Sequence, residues 1–172
     1  MDERLRILVC KPNDGGCAYY RAINPYSKLL ELYPDKVDVR IVDNPLGIDK
    51  TTGGWEKDWD FADMKWADIV MVSNISNFGG PYTARIIGKA REFGKFTHFD
   101  TDDLLNDLYK DHQLHQVYKE KKLDQITNFI YSNSDLVTVT QKKFAERIKP
   151  YCRGILCVIK NAIDYNLDCW NA

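Results

Sequence analysis

Residues 68–73 read Asp-Ile-Val-Met-Val-Ser. After the aspartate the run is apolar on both of the faces that a strand presents, which suits a strand covered on both sides rather than one side in water. That predicts a parallel sheet with helices packed above and below it. Working toward the N-terminus, residues 37–42 (VDVRIV) alternate apolar and polar and read as a second strand, less buried on one face. Residues 6–10 (RILVC) read as a buried first strand that runs into the turn residues Lys11-Pro12-Asn13-Asp14-Gly15-Gly16. Between these two strands Tyr19, Ile23, Tyr26, Leu29 and Leu30 recur at helical spacing, interrupted by Pro25. The helix is therefore expected to kink at Pro25 or to start at Asn24-Pro25.

Working toward the C-terminus, Gly79-Gly80-Pro81 opens a helix whose buried face is Tyr82, Ile86, Ile87, Ala90 and Phe93. Residues 95–99 (KFTHF) form an expected fourth strand, residues 104–134 are helical in composition, and 136–140 (LVTVT) form a fifth strand. A short helix over 142–152 and a sixth strand over 155–159 (ILCVI) complete the alternation. The expected fold class is α/β: a Rossmann-like, doubly wound parallel sheet of about six strands with helices on both faces. Residues 45–62, with three glycines and two tryptophans but no sustained period, read as a long loop.

The chain has 172 residues, 44% apolar, enough for one core and little more. Twenty-four Lys and Arg against 25 Asp and Glu leave a net charge of −1, which removes the global basic footprint of a duplex-binding or membrane-surface protein. No run of 18 apolar residues exists, so no membrane span is expected. The five cysteines, Cys10, Cys17, Cys152, Cys157 and Cys169, contain no C-x-x-C pair, which points away from a disulfide framework or zinc cage and toward a reducing cytoplasm.

In an open sheet of this kind, ligands bind beyond the carboxyl ends of the strands where the strand order reverses. With the common order 3-2-1-4-5-6, strands one and four are neighbours. The Gly15-Gly16 loop and the Asp100-Thr101-Asp102-Asp103 cluster would then face one crevice. Gly15 and Gly16 let a backbone approach a phosphate or sugar, or simply make a tight turn. Tyr19, Tyr20 and Arg21 follow as candidate phosphate or sugar contacts, with core packing as the alternative for the tyrosines. Three carboxylates within four residues need a cation, donors or a helix N-terminus, and Asp102 or Asp103 is also a candidate helix cap. His98 reads as a core histidine. His112, His115, Asp107 and Asp111 read as a solvated helix face rather than a metal set.

The segments GGCAYYRAINPYSKLLEL (15–32), HFDTDDLL (98–105), SDLVTVTQKKFAERI (134–148) and ILCVIKNAID (155–164) resemble, in order and spacing, the N-terminal half of GT-B glycosyltransferases. The likeness is to the family-4-like enzymes of bacteria and phages. It spans residues 6–164 and rests on YYR-x-x-x-P, D-x-D-D and the closing strand. That closing strand ends Lys160-Asn161-Ala162 where the family reads Pro-Asn-Gly. The resemblance implies an acceptor-side lobe (1–164), with 165–172 as the start of an interlobe linker or tail. A second Rossmann-like lobe, in cis or in trans, would hold the nucleotide-sugar. Transfer would pass a glycosyl group from that co-substrate to an acceptor with no obligatory metal or other cofactor. It assigns Asp100, Asp102 and Asp103 to catalysis and Gly15, Gly16, Tyr20, Arg21 and Asn161 to substrate or phosphate binding. Without the second lobe the chain is expected to be weak or inactive as a transferase.

Three rival readings follow from the same residues. Asp100-x-Asp102 is a candidate D-x-D motif of a GT-A transferase, holding a divalent metal and a diphosphate. Trp55, Trp59, Phe61 and Trp66 are candidate anchors for a protein partner of a non-catalytic module, or they fold back on the sheet. Asp43 after the second strand is a candidate ribose acid for a nicotinamide cofactor, although the glycine fingerprint is incomplete.

Overall fold

The structure is a computed structural model that describes residues 4–43, 45, 46, 60–75, 79–104, 110, 111 and 115–161. Six strands, β1 (Leu5–Cys10), β2 (Val37–Val42), β3 (Ile69–Ser73), β4 (Phe96–Thr101), β5 (Leu136–Val139) and β6 (Ile155–Val158), form one sheet in the order β2-β1-β3-β4-β5-β6. Every neighbouring pair is parallel. The expected fold class holds, as a Rossmann-like α/β sheet.

The expected strand order does not. β3, not β4, lies beside β1, so the reversal falls between β1 and β3 and one strand separates β1 from β4. Hydrophobic periodicity cannot distinguish the two orders because both use identical elements. A polar pin specific to the observed order joins the starts of β1 and β3. The Asp68 carboxylate accepts the Arg6 backbone N–H at 3.0 Å and the Arg6 guanidinium at 2.7 and 3.1 Å, locking the foot of β3 to β1. Asp135 repeats the device at the foot of β5, accepting the Thr97 backbone N–H and hydroxyl, both at 2.8 Å. The recurring Asp-aliphatic-Val pattern in DIVMV and DLVTV is thus a register pin.

The connection after β1 is helical throughout. It is α-helical as α1 (Gly16–Ala18), π-helical over Tyr19–Ile23, and α-helical again as α2 (Asn24–Leu32). Pro25 lacks an N–H, and its ring would crowd the Arg21 carbonyl in a regular α-turn. The wider π-turn, closed by the Asn24 N–H on the Tyr19 carbonyl, accommodates it without a break and turns Arg21 inward. α2 covers one face of the sheet, over Ile7, Val9, Val37 and Met71, with Tyr26 and Leu29 packed against them.

The other face carries α3 (Ala62–Trp66), α4 (Gly80–Glu92), α6 (Leu123–Asn133) and α7 (Lys142–Ile148). There Tyr82, Ile86, Ile87, Ile130, Tyr131, Phe144 and Ile148 pack on Leu8, Val70, Val72, Phe99, Val137 and Val139. Gly80 lets α4 approach α6 closely, because a Cβ there would stand 2.8 Å from Leu123 Cδ2. The stretch expected to be helical from 104 to 134 contains α5 (His115–Glu120) and α6. No helix of the described residues is long and apolar enough to cross a membrane.

Candidate functional site

The fourth strand runs two residues further than its expected end at Phe99, to Thr101. Strand alternation then fixes the fate of the acidic cluster. Phe99 faces α4 and α6, whereas His98 and Asp100 face the side of α2. Asp100 is 3% exposed and is not at the cleft surface. One carboxylate oxygen accepts Arg21 Nε at 2.9 Å, and the other accepts both Arg21 Nη2 and the Thr138 hydroxyl, the latter at 2.5 Å. Arg21, also buried, uses Nη1 to reach the Ile159 carbonyl at 2.8 Å and Asn161 Oδ1 at 3.2 Å. The Arg21–Asp100 pair is therefore a buried tie joining the first helix to β4, β5 and the end of β6. The sequence led one to expect both groups to face a substrate phosphate or sugar; here each is engaged by the other.

A directional chain of hydrogen bonds extends from this tie. The single proton of the Thr138 hydroxyl goes to Asp100, so His98 Nε2, 2.8 Å from Thr138 Oγ1, must donate. Burial pushes the His98 pKa down to about 4, so the ring is neutral and its Nδ1 is left to accept from the Tyr26 hydroxyl at 3.3 Å. The order Tyr26, His98, Thr138, Asp100, Arg21 has one self-consistent set of proton positions. His98 is thus a satisfied core histidine, as the sequence indicates.

The rest of the cluster behaves differently. Asp102 and Asp103 lie past the strand end on the carboxyl rim of the sheet. Asn74, in the left-handed region at φ 54° after β3, donates its Nδ2 to Asp102 at 2.6 Å. Its Oδ1 is buried with no hydrogen-bond partner among the described residues. The Asp102 carboxylate, close to the exposed Cys17 thiol, raises its pKa above the ordinary thiol value. Desolvation first and the charge of Asp102 second raise the pKa of Asp103. The glycine-pair loop and the acidic cluster come close despite the intervening strand, as the effect of Asp102 on Cys17 records; β3 stops at Ser73, and Asn74 after it ties to Asp102. Gly15 donates its N–H to Asn13 Oδ1 at 2.7 Å, and Gly16 has open space at the position of a Cβ. Beside Asp102 opens a cleft of about 360 Å³ lined by Leu104, Thr140, Gln141, Lys143, Phe144 and Arg147.

The remaining candidates divide. Tyr20 is half-buried and edge-on to Tyr19 at 5.2 Å between ring centres. Trp66 stacks under the Arg40 guanidinium at 3.9 Å and Phe61 packs edge-on to Phe93, so these two aromatics fold back on the domain. Asp43 is 2.6 Å from Lys11 Nζ, in an ion pair. Trp55, Trp59, Asp107, His112, Ala162 and Asp164 lie outside the described residues. Among the described residues no group of three or more His, Cys, Asp or Glu could hold a metal ion. Asp100 and Asp102 do not chelate as a pair either, since Asp100 is taken by Arg21. Sequence reasoning missed Asn74, Cys17, Thr138 and Tyr26. Asn74 had one signal: an asparagine straight after a buried strand is the side chain that tolerates left-handed backbone.

No protein-family model matches the sequence, and no curated protein does. Among solved structures the chain is similar to a conserved protein from Enterococcus faecalis, at 15% identity and a TM-score of 0.47, over 86% of this chain and 98% of that one.

Proposed function

We propose that the chain is the acceptor-side lobe of a GT-B-type glycosyltransferase, working with a second lobe that holds the nucleotide-sugar. The observation that supports this reading is the meeting of the Gly15-Gly16-Cys17 loop with Asp102 and Asp103 at the carboxyl rim, beside the cleft lined by Thr140, Gln141 and Lys143. A sugar hydroxyl is recognised by fixed acceptors and donors. Asp102, held by Asn74, provides acceptors, and Gln141 and Lys143 in the adjoining cleft provide donors. Asp103, exposed and with its pKa raised, has the electrostatics of a group that takes the proton of an acceptor hydroxyl as that oxygen bonds to the anomeric carbon and the C–O bond to the nucleoside diphosphate breaks, the diphosphate leaving with the electron pair. Asp100 has no contact role in this scheme. With Arg21 it positions the first helix and the end of β6, including Asn161.

The test is saturation-transfer NMR of the 172-residue chain with methyl glucoside, maltose and UDP-glucose at millimolar concentration. The reading expects saccharide signals that vanish in Asp102→Ala and Asp103→Ala and persist in Asp111→Ala. It expects no UDP-glucose signal beyond that of its sugar. Absence of any saccharide signal, or signals indifferent to both rim substitutions, overturns the reading.

A further inference from the structure

Among the described residues, the face of the sheet that α2 covers is only half covered. α2 lies over β2, β1 and β3, and beyond it Phe96, Ile155 and Ile159 stand 40%, 60% and 53% exposed on β4 and at β6. At the step between the helix and this open face lies a second cavity, of about 350 Å³, which shares no lining residue with the rim cleft. Its walls are Pro25, Leu29, Met71, Ile159 and the Tyr26 ring, and its polar side is His98, Thr138 and the Arg21–Asp100 pair.

That side is polar in composition but not in what it offers. Thr138 is fully buried, and the protons of Tyr26, His98 and Thr138 are all spent along the chain that ends at Asp100. Asp100 in turn is neutralised by Arg21. A ligand atom on this side meets polar groups already engaged with one another, so water gains little there and an apolar body gains more. Polarity returns at the mouth, where Lys160 is exposed and the Tyr20 ring flanks it. Since Arg21 and Asp100 cancel, the lining carries one net positive charge, that of Lys160.

We propose that this cavity is a binding site for a small amphipathic monoanion, its apolar body against Leu29, Met71 and Ile159 and its anionic end at Lys160. The volume sits at the low end of the range of about 300–1,000 Å³ typical of ligand sites, which admits one small molecule rather than a polymer. The inference uses none of the rim residues and stands apart from the transferase reading.

Methionine methyl NMR tests it cleanly, because the chain has three methionines and two of them report on opposite faces of the sheet. Met71 lines the cavity, and Met64, on α3, lies in the core of the other side. Methyl-labelled protein is titrated with naphthoate, with the neutral naphthamide and with naphthylmethylammonium. Naphthoate is expected to shift the Met71 methyl saturably and leave Met64 in place, and to bind more tightly than naphthamide, with the cation weakest. Lys160→Glu should weaken naphthoate roughly threefold to tenfold, as an exposed charge contact allows, and leave naphthamide unchanged. Ile159→Trp, at an exposed position, should fill the cavity and abolish the shift with the methyl spectrum otherwise intact. No Met71 shift, equal shifts of Met71 and Met64, or an affinity order that favours the cation overturns the proposal. None of these outcomes bears on saccharide binding at the rim.

Discussion

Asp100→Ala isolates the buried tie. The side chains of Arg21 and Asp100 are 5% and 4% exposed, so removing the carboxylate leaves a guanidinium in the interior with, among the described residues, only the Ile159 carbonyl and Asn161 to receive its protons. Breaking a buried pair from one side costs about 3–5 kcal/mol. For a domain of this length each kcal/mol moves the melting temperature by about 2–4 °C, so a fall of about 6–20 °C is expected. The assay is urea unfolding followed by tryptophan fluorescence, with a thermal melt beside it. The double variant Arg21→Met with Asp100→Leu removes both charges, and it should recover most of the loss because the desolvation penalty disappears with the ions. A single-variant cost below about 1 kcal/mol, the scale of an exposed pair, would refute the buried tie. So would a double variant as unstable as the two single losses added together.

Three further outcomes are expected. Unfolded His98 titrates near 6.5 and the folded ring near 4, so the unfolded state binds more protons between those values; stability therefore falls as pH drops through that window, by about 3 kcal/mol in full. His98→Gln should flatten that slope in unfolding curves taken from pH 7 to pH 4, and an unchanged slope would assign the pH dependence to other groups. Gly154→Ala should cost about 1–3 kcal/mol in denaturant melts, since its Cβ would stand 2.3 Å from the Asp135 carbonyl oxygen, a backbone atom that cannot swing aside. Asp102→Asn should raise the alkylation rate of Cys17 by iodoacetamide at neutral pH, read on the Cys17 peptide by mass spectrometry, because the side chain that raises the thiol pKa loses its charge. An unaltered rate would separate Cys17 from Asp102 and remove the observation on which the rim site rests.

The legible part of the site was the part governed by local chemistry. Gly15-Gly16 marked a turn after a buried strand, and Asp102 and Asp103 marked a strand end. His98 read as core because it alternates with Phe99 inside a strand. Arg21 and Asp100 were misread for one reason: a charged side chain near an expected strand end looks solvent-facing, and neither residue carries a local sign of its partner, which lies 79 positions away. The pair became visible only when the π-turn ahead of Pro25 aimed Arg21 inward and β4 proved to reach Thr101.

The sequence alone settled the alternation of strands and helices, their parallel pairing and the faces that are apolar, because each of those follows from side-chain periodicity within one segment. The tertiary structure alone decided the order of the strands, the burial of the Arg21–Asp100 pair and the presence of a cavity on the half-covered face. Those depend on which distant polar groups satisfy one another, Arg6 with Asp68 and Arg21 with Asp100 among them. A hydrogen bond between residues far apart leaves no period in the chain.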